Sequence, residues 1–203
     1  MKKFVLIVIV LVIAGGAYYI FSKKDDKPAQ PKQEALAISK NSVVFNTAFN
    51  EVLNTYYSLK TALVDWDSAK VSAAATTLGV AAGKIPFNEL KADSSIVLTA
   101  KSFAEGISAE SEAIAGEKTL EGKRRSFNIL SDNLYNLART VKYDQAVVYH
   151  QHCPMAFNDE EEAFWLSDKA TIENPYLGKK HPKYKSGMLE CGDVQDSIDF
   201  RGK

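Results

Sequence analysis

Histidine, cysteine and methionine are scarce in this chain, at three, two and three among 203 residues. No histidine precedes position 150, so the Glu-x-x-His pairs that build a di-iron centre inside a helical bundle are missing. Neither cysteine belongs to a Cys-x-x-Cys pair, and spacing alone therefore does not assign them. There is no Gly-rich phosphate loop, no Gly-x-Ser-x-Gly elbow and no His-Glu-x-x-His helix. These absences point away from an enzyme. An excess of one charge is also missing, because 25 Lys and Arg balance 25 Asp and Glu. A duplex-binding protein needs a surplus of phosphate-neutralising cations, so nucleic acid is not the expected partner.

What is present fits one globular domain with appendages: 46% hydrophobic and 25% charged residues. Met1-Lys2-Lys3 is a short basic head. Phe4 to Phe21 follows without a charge, about the length of a short transmembrane helix and long for a signal-peptide core. Tyr18 and Tyr19 suit a membrane interface. No cysteine follows the run to carry a lipid. The expectation is an uncleaved signal-anchor over 1–22, tethered to the inner membrane with the bulk of the chain in a bacterial periplasm. A signal peptide cut near Gly15 and Ala17 is the alternative, releasing the body into the periplasm. Residues 23–40 include KKDDKPAQPKQ, which has two prolines and no large apolar residue, and read as a flexible linker.

From Val43 the pattern is helical. Phe45, Phe49, Val52, Tyr56, Leu59, Leu63 and Trp66 recur at three- and four-residue steps. Asp67 and Ser68 offer a cap for an Ala-rich helix, Val71 to Ala82, that Gly83 and Pro86 bracket. A third helix starts near Asp93-Ser94, and a fourth stripe runs Leu120, Phe127, Leu130, Leu134, Leu137 and Val141. The predicted fold is mainly α: an antiparallel four-helix bundle over 41–144, preceded by the membrane anchor and followed by a small irregular lobe over 145–203. In the lobe, Ala146 to Tyr149 is β-prone, Pro154 is expected to end regular pairing, and Asn158 to cap a short helix with an acidic first turn, Asp159 to Glu162.

The scarce residues concentrate in that lobe. His150, His152, Cys153 and Met155 lie within six positions, and Met188 and Cys191 lie further on. If 150–155 is extended, Cys153 and Met155 share one face and His150 and His152 the other, although a bend at Pro154 brings His152 round. Met188-x-x-Cys191 places two sulfurs on one side of a helical turn. Thiolate with thioether selects Cu(I) or Ag(I) over zinc, calcium or magnesium. Two cysteines in an exported domain equally make a disulfide, Cys153 to Cys191. Spacing leaves both open. His181, in the basic stretch Lys179 to Lys185, reads as part of a solvated loop.

The lobe resembles a bacterial family of small exported proteins of unknown function, also fused to adaptor subunits of heavy-metal (copper/silver) efflux systems. The residues that carry the likeness are His152-Cys153-Pro154-Met155, Trp165-Leu166-Ser167, Ile172-Glu173-Asn174-Pro175-Tyr176 with Gly178, and Met188-Leu189-Glu190-Cys191-Gly192. A helical stretch with Asp132-Asn133-Leu134 is also similar. The resemblance implies metal handling, with Cys153, Met155, Met188 and Cys191 as ligands and His152 as a possible fifth. It implies a protein that buffers, senses or delivers copper(I) or silver(I) to efflux components. The alternative is a non-enzymatic envelope interaction module whose lobe is stapled by the disulfide.

Overall fold

Ser42 opens the first helix. Its Oγ accepts the Phe45 N–H at 3.1 Å, satisfying one of the amide groups that a helix start leaves free. The computed structural model describes residues 41–201, and the expected anchor and linker lie outside them. Helix α1 is Val43–Val64, with Phe45, Phe49, Val52, Tyr56, Leu59 and Leu63 all fully buried. Asp67 caps α2, Ser68–Gly83, through the Lys70 N–H. A single 3-10 turn, Phe87–Glu89, leads to α3, Ser94–Gly116, capped by Asp93. Thr119 caps α4, Leu120–Thr140. Each helix packs on the next, and Tyr56 of α1 stacks on Phe127 of α4 at 5.2 Å, which closes the row. Lys123 is buried at the start of α4. Its ammonium donates to Ser72 Oγ and to the Ile114 carbonyl near the end of α3, at 2.8 and 2.7 Å.

The lobe is more regular than the sequence suggested. It holds a three-stranded antiparallel sheet, order β2-β1-β3, with β1 Val148–Phe157, β2 Glu161–Ser167 and β3 Asp193–Ile198. Regular pairing does end at Pro154: the register with β2 is regular up to Cys153 and resumes at Phe157, and the pairing with β3 stops at His152, while the extended strand itself runs on. Asn158, by contrast, does not cap a helix. Asn158 and Asp159 take left-handed backbone conformations (φ 52° and 64°) that Asn and Asp tolerate, and form the turn between β1 and β2. The acidic run then enters a strand because Phe164 and Trp165 gain more from pairing with β1 than a short helix would from its cap.

Strand β2 is an edge, and the bundle covers it. The Leu166 N–H donates to the Tyr56 hydroxyl at 2.9 Å and the Phe164 N–H to Asn128 Oδ1 at 2.8 Å. An edge that would otherwise expose unpaired amides is therefore satisfied from α1 and α4. Among the described residues no helix is long and apolar enough to cross a membrane.

One buried cation joins bundle and lobe. Arg124 of α4 donates from Nε to the Pro175 carbonyl (2.8 Å) and from Nη2 to the Leu63 carbonyl (3.0 Å). Its guanidinium lies 4.0 Å over the Trp66 ring. Replacing it by Met strands the Pro175 carbonyl, at a cost of about 1–3 kcal/mol, and removes one of two donors from the Leu63 carbonyl, which keeps the Trp66 N–H. Arg124→Met is expected to lower the urea midpoint without changing the slope of the transition, and Arg124→Lys to recover only part, because a point ammonium does not span both acceptors.

Candidate functional site

Alternation along β1 sorts the scarce residues by face. Gln151 and Cys153 are completely buried on one side. His150 and His152 lie on the other, both stacked on Phe164 of β2 at 5.1 and 4.8 Å. Cys191 reaches Cys153 from a compact turn in which the Leu189 N–H bonds to the Ser186 carbonyl and the Cys191 N–H to the Met188 carbonyl. The two sulfurs stand 3.3 Å apart, and both thiols are free.

The motif residues around the pair are its scaffold. Asn174 is fully buried and uses both its backbone and its side-chain polar groups. Its side-chain amide donates to the Cys191 carbonyl (2.8 Å) and its backbone N–H to the Leu189 carbonyl (2.8 Å). Its Oδ1 accepts from the N–H groups of Tyr176 and Leu177, the turn that Asn-Pro favours. The Tyr176 hydroxyl donates to the Phe164 carbonyl. Gly178 (φ +57°) lies so close to α1 that an added Cβ would sit 2.6 Å from the Val64 carbonyl. At Gly192 (φ +134°) an added Cβ would sit 2.2 Å from the His152 carbonyl, so only glycine lets the chain after Cys191 run against β1.

Burial, reinforced by Cys153, pushes the Cys191 thiol up to about 12. At neutral pH Cys191 is a protonated thiol, unlike the depressed cysteines of catalytic sites. His152 is occupied elsewhere. Its Nε2 is 3.1 Å from Glu162 and its Nδ1 3.4 Å from Asp193, so both ring nitrogens face carboxylates on the side away from Cys153. Met155 and Met188 are half-buried against the same core as the thiols. Of the five expected ligands, the structure brings the two cysteines into contact and turns His152 away. Among the described residues, no three His, Cys, Asp and Glu side chains gather as a metal site. His181 is less solvated than expected. Its Nδ1 accepts the N–H groups of Lys183 and Tyr184, both at 3.2 Å, and its ring stacks on Tyr184.

Two residues that the motif reading did not single out complete the opposite face. Tyr135 of α4 stacks on His150 at 4.1 Å and donates to Asp196 at 2.6 Å. Burial holds His150 below the ordinary imidazole range, against the upward pull of Asp196 and with smaller downward contributions from His152 and Arg139.

A thiol with so high a pKa ionises only at high pH. Modification of Cys191 by iodoacetamide in reduced protein is expected to rise about tenfold per pH unit and still to be climbing at about pH 10, where an ordinary thiol has levelled off. His150 gives a second check. A lowered folded pKa means stability that is present above the unfolded value of about 6.5 and lost as pH falls below it. Chemical denaturation from pH 7 to 5 is expected to show a smaller loss in His150→Phe than in the wild type.

The model of a protein family of unknown function (DUF3347) matches residues 52–146. The match begins inside α1 and ends before β1, so it covers most of the bundle, a little under half of the chain. Both cysteines, and the lobe motifs quoted above from His152 onward, lie outside it. No curated protein and no solved structure matches the chain. Over its helical bundle the chain is thus similar to a family of unknown function, and that similarity brings no ligand or activity to the thiol pair.

Proposed function

We propose that the protein is a non-enzymatic, membrane-tethered periplasmic module whose lobe is locked by a Cys153–Cys191 disulfide. The contact of the two sulfurs at 3.3 Å inside the core carries this reading. Only a small side-chain adjustment separates them from bonding distance. The site also favours an uncharged product. Burial already resists one thiolate at Cys191, whereas two thiolates around a monovalent ion keep a net negative charge in the same setting. With a disulfide oxidant such as oxidised glutathione, the two thiols give one disulfide and two molecules of reduced glutathione. The bond closes a loop of 38 residues, a constraint on the unfolded chain of about 3–4 kcal/mol.

Soft-metal handling is the second reading, supported by Met155 and Met188 beside the same core. Reduced Cys153 and Cys191 with these thioethers form a donor set suited to Cu(I) or Ag(I), which the protein would buffer or pass to efflux components. His152 joins that set only by leaving Glu162 and Asp193.

Thiol counting separates the two. Protein prepared without reductant and then denatured is expected to show no free thiol, and two after reduction. Its melting temperature is expected to fall on reduction and in the Cys153→Ser, Cys191→Ser double variant. Two free thiols in the unreduced protein, together with one tightly held Cu(I) that the double variant loses, would favour the metal reading instead.

A further inference from the structure

One buried amine on α1 has no part in the sulfur chemistry. Lys60 is only 4% exposed, and its Nζ meets Ser167 Oγ at 3.1 Å. Its other near neighbour is the Tyr57 ring, 6.0 Å away, at the limit of a cation–π contact. Among the described residues no carboxylate stands within ion-pairing distance of it. Ser167 is itself fully buried and already accepts the Lys169 N–H at 3.2 Å. An ammonium so placed keeps donor capacity unused, and a buried charge with one neutral partner is costly. Burial accordingly lowers its pKa, and the charges of Asp168 and Glu173 oppose this only in part.

That amine borders open space. A cleft of about 580 Å3 between α1, α2 and the segment after β2 lies within the size range of small-ligand sites. Lys60, Lys70 and Lys169 line it together with Asp65, Asp168 and Glu173, so the cleft as a whole selects neither sign of charge. Two of these charges are engaged elsewhere, since Asp65 accepts from Lys179 at 2.7 Å and Lys70 pairs with Asp67 at 3.3 Å. Ala62, Ala73, Ala74 and Tyr57 add apolar lining. Asp168, Lys169 and Glu173 are also the charges that act on the Lys60 ammonium, which places its amine end, and not only its stem, toward the cleft. Lys70 and Lys169, by contrast, are exposed.

A desolvated lysine is a nucleophile toward carbonyl carbon, because more of it carries a free lone pair than an exposed lysine does. On addition of an aldehyde, the Nζ lone pair forms the N–C bond and one C=O pair moves onto oxygen. One Nζ proton passes to that oxygen, and the Ser167 hydroxyl stands within reach to carry it. The oxygen then leaves as water with the second Nζ proton, and C=N remains. One amine and one aldehyde give one imine and one water, with no oxidant and no net proton. The product also replaces a poorly matched buried cation by a neutral group, a gain that the exposed Lys70 and Lys169 lack.

We infer that Lys60 is a covalent capture site for small uncharged aliphatic aldehydes, held in this cleft as a reversible imine. Cys153 and Cys191 take no part in it.

Reductive trapping of the full chain in detergent micelles tests this. Brief treatment with butanal and cyanoborohydride at about pH 7 turns each imine into a stable secondary amine, and peptide mass spectrometry locates the labelled lysines. Lys60 is expected to be labelled about tenfold faster than Lys70 and Lys169, although it is the least exposed of the three, and to lose this lead in urea. Burial without activation gives the opposite order. Labelling of Lys60 no faster than Lys70 and Lys169 therefore overturns the inference. So does a lead that survives in urea, because it would not come from the fold. Pyridoxal phosphate, an aldehyde that carries negative charge, is expected to show no preference for Lys60. A preference as strong as that of butanal overturns the assignment to uncharged aldehydes. All arms use the unsubstituted chain, so none depends on a variant that fails to fold.

Discussion

A single guanidinium sets where the lobe sits. Among the described residues, Arg124 is the one side chain that bonds at once to the end of α1, through Leu63, and to the loop leading to Cys191, through Pro175. Its plane covers the Trp66 ring, and this accounts for an otherwise unfavourable backbone. Trp66 has φ 61° just past the end of α1, where the Asp67 N–H returns to the Ala62 carbonyl and the Trp66 N–H to Leu63. Helix ends of this kind usually place glycine there, and a bulky residue costs about 1–2 kcal/mol. The indole offsets that cost by stacking under Arg124 and donating from Nε1 to the Leu177 carbonyl at 3.0 Å. The strained turn is kept because it presents the ring that both halves of the fold share.

From that joint, the lobe is built by a relay of main-chain contacts. Leu177 and Lys179 are fastened to Trp66 and Val64, Asn174 folds the turn that starts them, and the same Asn174 holds the carbonyls of Leu189 and Cys191. The thiol pair is thus positioned by residues with no sulfur chemistry of their own. The Asn-Pro-Tyr-x-Gly pattern is therefore a brace, whatever the sulfurs bind. This also explains why a lobe too small to support a core alone holds a fully buried Trp165. Its edge strand takes its missing partners from Tyr56 and Asn128.

The bundle was legible because helix signals are local. Asp67, Asp93 and the stripe from Phe45 to Leu63 each act within one or two turns, and each cap and buried position follows from spacing. The alternation of His152 and Cys153 was legible for the same reason. The sheet was not. Glu161 to Ser167 carries an acidic start that fits a helix N-terminus equally well, and what decides for a strand is pairing with β1 and hydrogen bonds from residues 56 and 128, far away in sequence. Pro154 was legible only as the end of regular pairing, which stops at Cys153 toward β2 and at His152 toward β3, and not as the midpoint of a longer extended strand. Arg124 and Lys60 escaped because a charged residue inside a helix reads as solvated until the tertiary structure buries it.

The position of the family match sharpens what the thiols are for. The matched segment is the bundle, yet the lobe cannot be held in place without it, since Arg124, Tyr56 and Asn128 all lie within residues 52–146. A change at Cys191 therefore reaches the bundle by a short path: the Cys191 carbonyl bonds Asn174, Asn174 sets Pro175, and Pro175 bonds Arg124. The first and last steps are directional hydrogen bonds at least partly buried, where a lost partner costs more than it would at the surface, and the middle step is the Asn174–Pro175 peptide bond. The proposed disulfide would restrain the 186–191 turn from which this path starts, and so would support the joint between bundle and lobe as well as the lobe itself.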